Sequence, residues 1–190
     1  MKFTARALYI SLLTSLTAFS AVLYVSCGKN ISGNDNSCQA IACAHGGTCA
    51  KGSCICPAGY EGNNCEITTR DRFVGSWQVS EKGTLTPARQ YQLAIEYNNT
   101  DASHVNIKNC YNYFNAPVTG YVIGDTLYIP NQQMEGKVVF GKGYYHTRST
   151  SDTTKMISVR YEVVDTASQV VDDFGYYSDL DHSNLSDWSK

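Results

Sequence analysis

Ile157-Ser158-Val159-Arg160-Tyr161-Glu162-Val163 places a branched or aromatic apolar residue at every odd position and a polar one between. A β-strand turns successive side chains to opposite faces, so this pattern describes a ribbon with one buried and one wetted side. The alternation recurs upstream. Tyr91, Leu93, Ile95 and Tyr97 are opposed by Gln92, Ala94 and Glu96, and Val105 and Ile107 alternate with Asn106 and Lys108. Phe73, Gly75, Trp77 and Val79 share a face. Leu127 and Ile129 follow a hairpin signal at Gly124-Asp125, where glycine tolerates a positive φ. Turn clusters at Asn98-Asn99-Thr100-Asp101, Asn131-Gln132-Gln133, Gly141-Lys142-Gly143 and Ser149 to Thr154 divide the region into about seven or eight strands. No segment sustains a 3.6-residue period. The expected fold is all-β, an antiparallel barrel or sandwich over residues 70–171, and both alternatives alternate in the same way.

The 190 residues carry a net charge of −2, and only 17% are charged. So even a balance gives no electrostatic footprint for nucleic acid, and none is expected as a partner. Cysteine is distributed unevenly. Of eight, Cys38, Cys43, Cys49, Cys54, Cys56 and Cys65 fall within 28 residues, spaced C-x4-C-x5-C-x4-C-x-C-x8-C. A segment that short cannot bury a useful core and needs covalent staples. Zinc sites favour C-x2-C pairs, which are absent, so disulfides are the expected chemistry and 15 pairings are open.

The N-terminus supplies the compartment. Lys2 and Arg6 precede an uncharged stretch from Ala7 to Val25, the layout of an export signal over residues 1–26. Leu23-Tyr24-Val25-Ser26-Cys27 then sets a small residue before a cysteine, with Gly28 after it. This resembles the lipobox of bacterial lipoproteins, which implies lipidation of Cys27, a membrane as partner through the anchor, and an outer-membrane or cell-surface location. Residues 27–37 read as the lipidated cysteine and a flexible Asn/Ser/Gly tether.

Cys54-Ile55-Cys56-Pro57-Ala58-Gly59-Tyr60-Glu61-Gly62-Asn63-Asn64-Cys65, preceded by Ala44-His45-Gly46-Gly47-Thr48-Cys49, resembles an epidermal growth factor-like (EGF-like) module over residues 38–66. The resemblance implies the pairs Cys38–Cys49, Cys43–Cys54 and Cys56–Cys65. Some modules of that family hold calcium, but Ser37 stands beside the first cysteine where Glu or Gln is usual. Ala50-Lys51-Gly52-Ser53 also lacks the Asn-plus-aromatic pattern. No metal is therefore expected, and His45 reads as a loop residue. Cys27 and Cys110 are the leftover pair. If Cys27 is lipidated, Cys110 is single and expected to be buried as a small apolar residue, whereas a Cys27–Cys110 bridge would exclude the lipoprotein reading.

Phe73-Val74-Gly75-Ser76-Trp77 opens the larger domain, and its Gly-x-Trp resembles the first strand of the lipocalin and fatty-acid-binding group. That resemblance implies a barrel and often an arginine packed across the tryptophan. Arg160 is the candidate for that place, although its alternation phase points it to the other face. Residues 172–190 hold five aspartates against one lysine and read as an acidic, partly disordered aromatic tail, with Tyr176, Tyr177 and Trp188 available for docking.

No G-x-S-x-G, H-E-x-x-H or P-loop occurs, His104, His146 and His182 are scattered, and no paired carboxylates face each other in a strand. An enzyme is not expected, nor a cofactor. Function points instead to aromatic side chains, of which eleven tyrosines lie in residues 66–190. Trp77, Tyr111, Tyr113, Tyr144 and Tyr145 are the candidate ligand contacts. The expected function is a membrane-anchored, non-enzymatic binding protein for a protein or glycan. The alternative is a lipocalin-like carrier of a small apolar ligand, which needs a hollow barrel.

Overall fold

A computed structural model describes residues 36–176 and 186–190. The segment read as an export signal, Cys27, most of the expected tether and Tyr177 lie outside the described residues. No α-helix occurs among those described; every regular element is a strand or a short 3-10 turn.

Residues 38–68 form a small stapled unit. Its disulfides are Cys38–Cys49, Cys43–Cys54 and Cys56–Cys65, the pairing implied by the EGF-like resemblance. Two hairpins complete it: β1 (Thr48–Ala50) with β2 (Ser53–Ile55), and β3 (Tyr60–Glu61) with β4 (Ile67–Thr68). Aside from Cys65 its side chains are at most half-buried, so the bridges rather than a core hold it. His45 stacks on Tyr60 with ring centroids 3.9 Å apart and shares a hydrogen bond with the Cys65 carbonyl, a structural role.

The remainder is a closed barrel. Its strands are β5 (Gly75–Glu81), β6 (Arg89–Tyr97), β7 (His104–Lys108), β8 (Val118–Ile123), β9 (Thr126–Met134), β10 (Lys137–Thr147) and β11 (Lys155–Asp165). Each pairs antiparallel with the next. After β11 the chain returns as β12 (Val171–Asp173), and the last described strand is β13 (Ser186–Ser189). β13 pairs with β11 on one side and β5 on the other, closing an eight-stranded ring. Closure removes every strand edge from the ring, and the barrel alternative is the one observed.

Three local expectations are corrected. The acidic tail is not a solvated end where it is described: β12 and β13 are sheet strands, and Trp188 is buried in the core. Aspartates obscure this, because Asp187 takes the outward phase while Ser186 and Trp188 take the inward one. Asn131-Gln132-Gln133 lies inside β9, and the turn falls at Glu135-Gly136, both at positive φ. Gly141-Lys142-Gly143 lies inside β10. The two glycines face inward under β11: a Cβ on Gly141 would stand 2.5 Å from the Arg160 carbonyl oxygen, and one on Gly143 2.8 Å from Ile157 Cγ2. They are glycine because the wall is crowded, not because the chain turns.

Inward side chains from every barrel strand join one apolar cluster that runs from Phe73 and Trp77 to Phe174 and Trp188. The barrel has two distinguishable ends. At the lower end, a 3-10 turn (Thr69–Arg72) follows β4 directly, so no free linker separates the stapled unit from the barrel. Arg70 Nη1 donates to the carbonyls of Asn98 (2.7 Å), Asp101 (2.6 Å) and His104 (2.8 Å) while its guanidinium lies over the Tyr97 ring. Arg72 pairs with Glu61 and Asp125, and Gly59 backs closely onto Ala102. The upper end collects the β5–β6 loop, the 3-10 turn Cys110–Asn112, the β9–β10 turn and the β11–β12 turn.

Candidate functional site

The alternation that builds the barrel sorts the five candidate aromatic contacts into different places. Trp77 is fully buried, and its indole N–H donates to the Phe73 carbonyl at 2.6 Å. Tyr145 takes the inward phase of β10 and packs on Phe73 and Trp77 at the lower end. Tyr144, its neighbour, faces outward and is 44% exposed. Tyr111 and Tyr113 sit at the upper end with ring centroids 6.2 Å apart. The structure therefore brings together Trp77 with Tyr145, and Tyr111 with Tyr113, and leaves Tyr144 apart on the outer wall.

The cation packed across Trp77 is not Arg160. Lys190 Nζ lies 4.4 Å from the ring centroid and donates to the Val74 carbonyl at 2.7 Å. β13 carries Lys190 to the mouth of β5, whereas Arg160 sits on the outward phase of β11 opposite Lys142. Reading residues 172–190 as a tail hid this contact.

A polar cluster lies inside the upper half of the barrel. The Glu81 side chain is fully buried. One of its oxygens accepts from Arg89 Nε at 3.0 Å and Nη2 at 2.7 Å; the other accepts from the Tyr161 hydroxyl at 2.9 Å and Ser186 Oγ at 2.8 Å. Ser186 Oγ in turn accepts the Trp188 indole N–H at 2.8 Å. One carboxylate thus ties β5 to β6, β11 and β13, the strands around the closure. Four donors satisfy it, which is what allows a charge to stay buried. The sequence carries a signal for it: Glu81 continues the inward phase of Trp77 and Val79, and Arg89 begins that of Tyr91, Leu93 and Ile95.

Burial dominates the titration of the cluster's neighbours. It pushes the Cys110 thiol up to about 12, with the negative Glu81 adding to the effect. Tyr161 and Tyr91 are raised by the same two causes, burial first, with Tyr161 also held up by Tyr91. Among the described residues Cys110 is a free, buried thiol. The Tyr91 hydroxyl is buried and has no hydrogen-bond partner among the described residues.

Above this cluster Asp172 pins the rim. Its Oδ1 accepts from the Leu85 and Thr86 backbone N–H groups, and its Oδ2 from the hydroxyls of Thr86 and Tyr111. Phe174 stacks on Tyr161 with centroids 4.4 Å apart and planes 3° from parallel. The upper-end loops present Leu85, Tyr113, Val170 and Val171 to solvent, each more than 40% exposed. They are scattered in sequence and share only their place at this end of the barrel. Among the described residues no group of three or more His, Cys, Asp or Glu could hold a metal, and a cleft of about 340 Å³ lies in the stapled unit between Ile41, Ser53 and Asn63.

No protein-family profile matches the chain. A curated relative, the protocadherin-like wing polarity protein stan of Drosophila melanogaster, is 42% identical over 53 residues, covering 26% of this chain and 1% of that protein. A match that short has the scale of one small module. With the three bridges and paired hairpins, it fits an EGF-like module joined to an all-β barrel. No solved structure matches.

Proposed function

We propose that the chain is an exported bacterial lipoprotein, anchored through Cys27, that acts without catalysis as a surface binding protein for a macromolecular partner. One observation carries this reading. The EGF-like unit is fastened to the lower end of the barrel by Arg70 and Arg72, and the exposed apolar residues Leu85, Tyr113, Val170 and Val171 gather at the opposite end. Exposed apolar clusters on a soluble surface mark interaction sites. A stapled base on the N-terminal side, with an apolar rim facing away, suits a receptor or adhesin held at a membrane. A photo-crosslinking side chain at position 85 and another at position 113, in the full chain in its own membrane, should capture the same species. A crosslinker at Ser80 on the outer wall should not. Failure of positions 85 and 113 to share a product would sink the reading.

A carrier of a small apolar ligand is the second reading. Two features favour it: a closed eight-stranded barrel with a cation across Trp77, and the Tyr91 hydroxyl buried inside the barrel without a partner among the described residues. The continuous packing of the interior weighs against it. A native mass spectrum showing a non-covalent mass released on denaturation would favour the carrier.

A further inference from the structure

Three separate pieces of the upper end meet at one buried carboxylate. Asp172 belongs to β12, next to Val171. Its Oδ1 accepts the N–H groups of Leu85 and Thr86 from the β5–β6 loop, at 2.9 and 3.2 Å. Its Oδ2 accepts the Tyr111 hydroxyl at 3.1 Å and the Thr86 hydroxyl. Only glycine at position 83 permits this approach: a Cβ there would collide with Asp172 Oδ1 and stand 2.8 Å from Phe174 Cζ.

Tyr111 reaches Asp172 from a strained turn. It sits at φ 59° and ψ 12°, between Asn109 at φ 58° and Asn112 at φ 47°. Asparagine visits left-handed backbone readily, but a bulky aromatic residue there is an outlier. Such a conformation persists only where its surroundings impose it. Two clasps impose it here. One is the Tyr111 hydroxyl on Asp172; the other is the Tyr111 carbonyl, which accepts Arg89 Nη2 at 2.8 Å while Arg89 is anchored on buried Glu81. The turn therefore pulls against the same carboxylate that orders the β5–β6 loop.

We propose that the upper end is a spring-loaded latch that opens and closes as one unit, with Asp172 coupling the β5–β6 loop to the Cys110–Asn112 turn. The inference rests on the reading of the upper end as the binding surface and assigns that surface its regulation. In the closed form Leu85, Tyr113 and Val171 are fixed before a partner arrives, so binding orders nothing further. Once Tyr111 lets go, the turn relaxes and the β5–β6 loop loses part of its hold. A partner that seats on the closed form shifts the population toward it. Coupling of this kind is reciprocal: loosening at Thr86 has to be felt at Tyr111, and loosening at Tyr111 at Thr86.

The test is amide hydrogen exchange of the full chain in detergent micelles, read by mass spectrometry. Tyr111→Phe keeps the ring and removes the hydroxyl. It should speed exchange about fivefold over residues 109–113 and by the same factor over residues 84–86, across Asp172. Thr86→Val should speed the same two segments together. Exchange in β8 and β9 should stay unchanged in both variants, which shows that the barrel remains folded. Asn112→Gly, which relieves a side chain at positive φ, should slow both segments. Faster exchange confined to 109–113 in Tyr111→Phe, or to 84–86 in Thr86→Val, overturns the inference, as does an Asn112→Gly variant that exchanges no more slowly than the parent. Photo-crosslinking at positions 85 and 113 keeps the two readings apart. Local exchange with a shared crosslinked species strikes the latch and leaves the binding reading; coupled exchange without one does the reverse.

Discussion

At the scale of single residues, Glu81 bears the most. Replacing it with alanine leaves Arg89 without its partner and removes the acceptor of Tyr161 and Ser186. Breaking a buried pair this way costs about 3–5 kcal/mol, so Glu81→Ala should lower Tm by more than about 10 °C in a thermal melt. Cys110, Tyr91 and Tyr161 give a pH signature. Each is an acid whose folded-state pKa is raised by burial, so each stays protonated in the fold where the unfolded chain would ionise it. Their contribution is complete below the unfolded thiol value of about 8.5 and is lost as pH rises from there through about 12. Tm should fall steadily over that window, and Cys110→Ala should remove the earliest part of the fall. Native Cys110 should also resist iodoacetamide at pH 8 and react once unfolded. Phase made these residues legible: Glu81 and Arg89 lie on the apolar side of their strands, and a charge on that side has to find a partner. Arg160 shows the reverse, since its phase excluded it from Trp77 and the true cation, Lys190, lay in a segment taken for a tail.

At the scale of elements, closure rests on β13. Ser186 and Trp188 pair with β5 and β11 and fill the core between them. Trp188→Ala should cost about 3–5 kcal/mol from the cavity it leaves, read as a lowered urea midpoint with little change in m. Gly141→Ala should destabilise by about 1–3 kcal/mol through overpacking against β11, whereas a glycine in a turn would tolerate alanine at lower cost. Strands β5, β6, β7 and β11 were legible because their alternation is long and clean. β10 was obscured by glycines that resemble punctuation until Tyr161 and Ile157 are seen across from them. β9 was cut short by Asn131-Gln132-Gln133, where polar side chains continue a strand to its exposed end. β13 was hidden because four residues, one of them an aspartate, carry almost no periodicity, and only its two neighbours define it.

At the scale of the whole molecule, the EGF-like unit and the barrel share one junction rather than a linker. Arg70→Ala frees the carbonyls of Asn98, Asp101 and His104 and should loosen that loop by about 1–2 kcal/mol, visible as faster amide exchange over residues 98–104 with the upper rim unchanged. The cysteine spacing and its family resemblance made the three bridges legible, and strict alternation made the all-β class legible. Barrel versus sandwich was not, because both bury alternate residues and differ only in whether the last strand returns to the first. The apolar rim was equally invisible, since Leu85, Tyr113 and Val170 belong to three separate loops. The most direct test of the account is an intact mass of the protein extracted from its own membrane, taken denatured and without reduction. The account predicts a chain beginning at Cys27 that carries the mass of two or three acyl groups, with six hydrogens missing for three bridges and one free thiol at Cys110. A chain without lipid, with eight hydrogens missing and Cys27 bridged to Cys110, would contradict it.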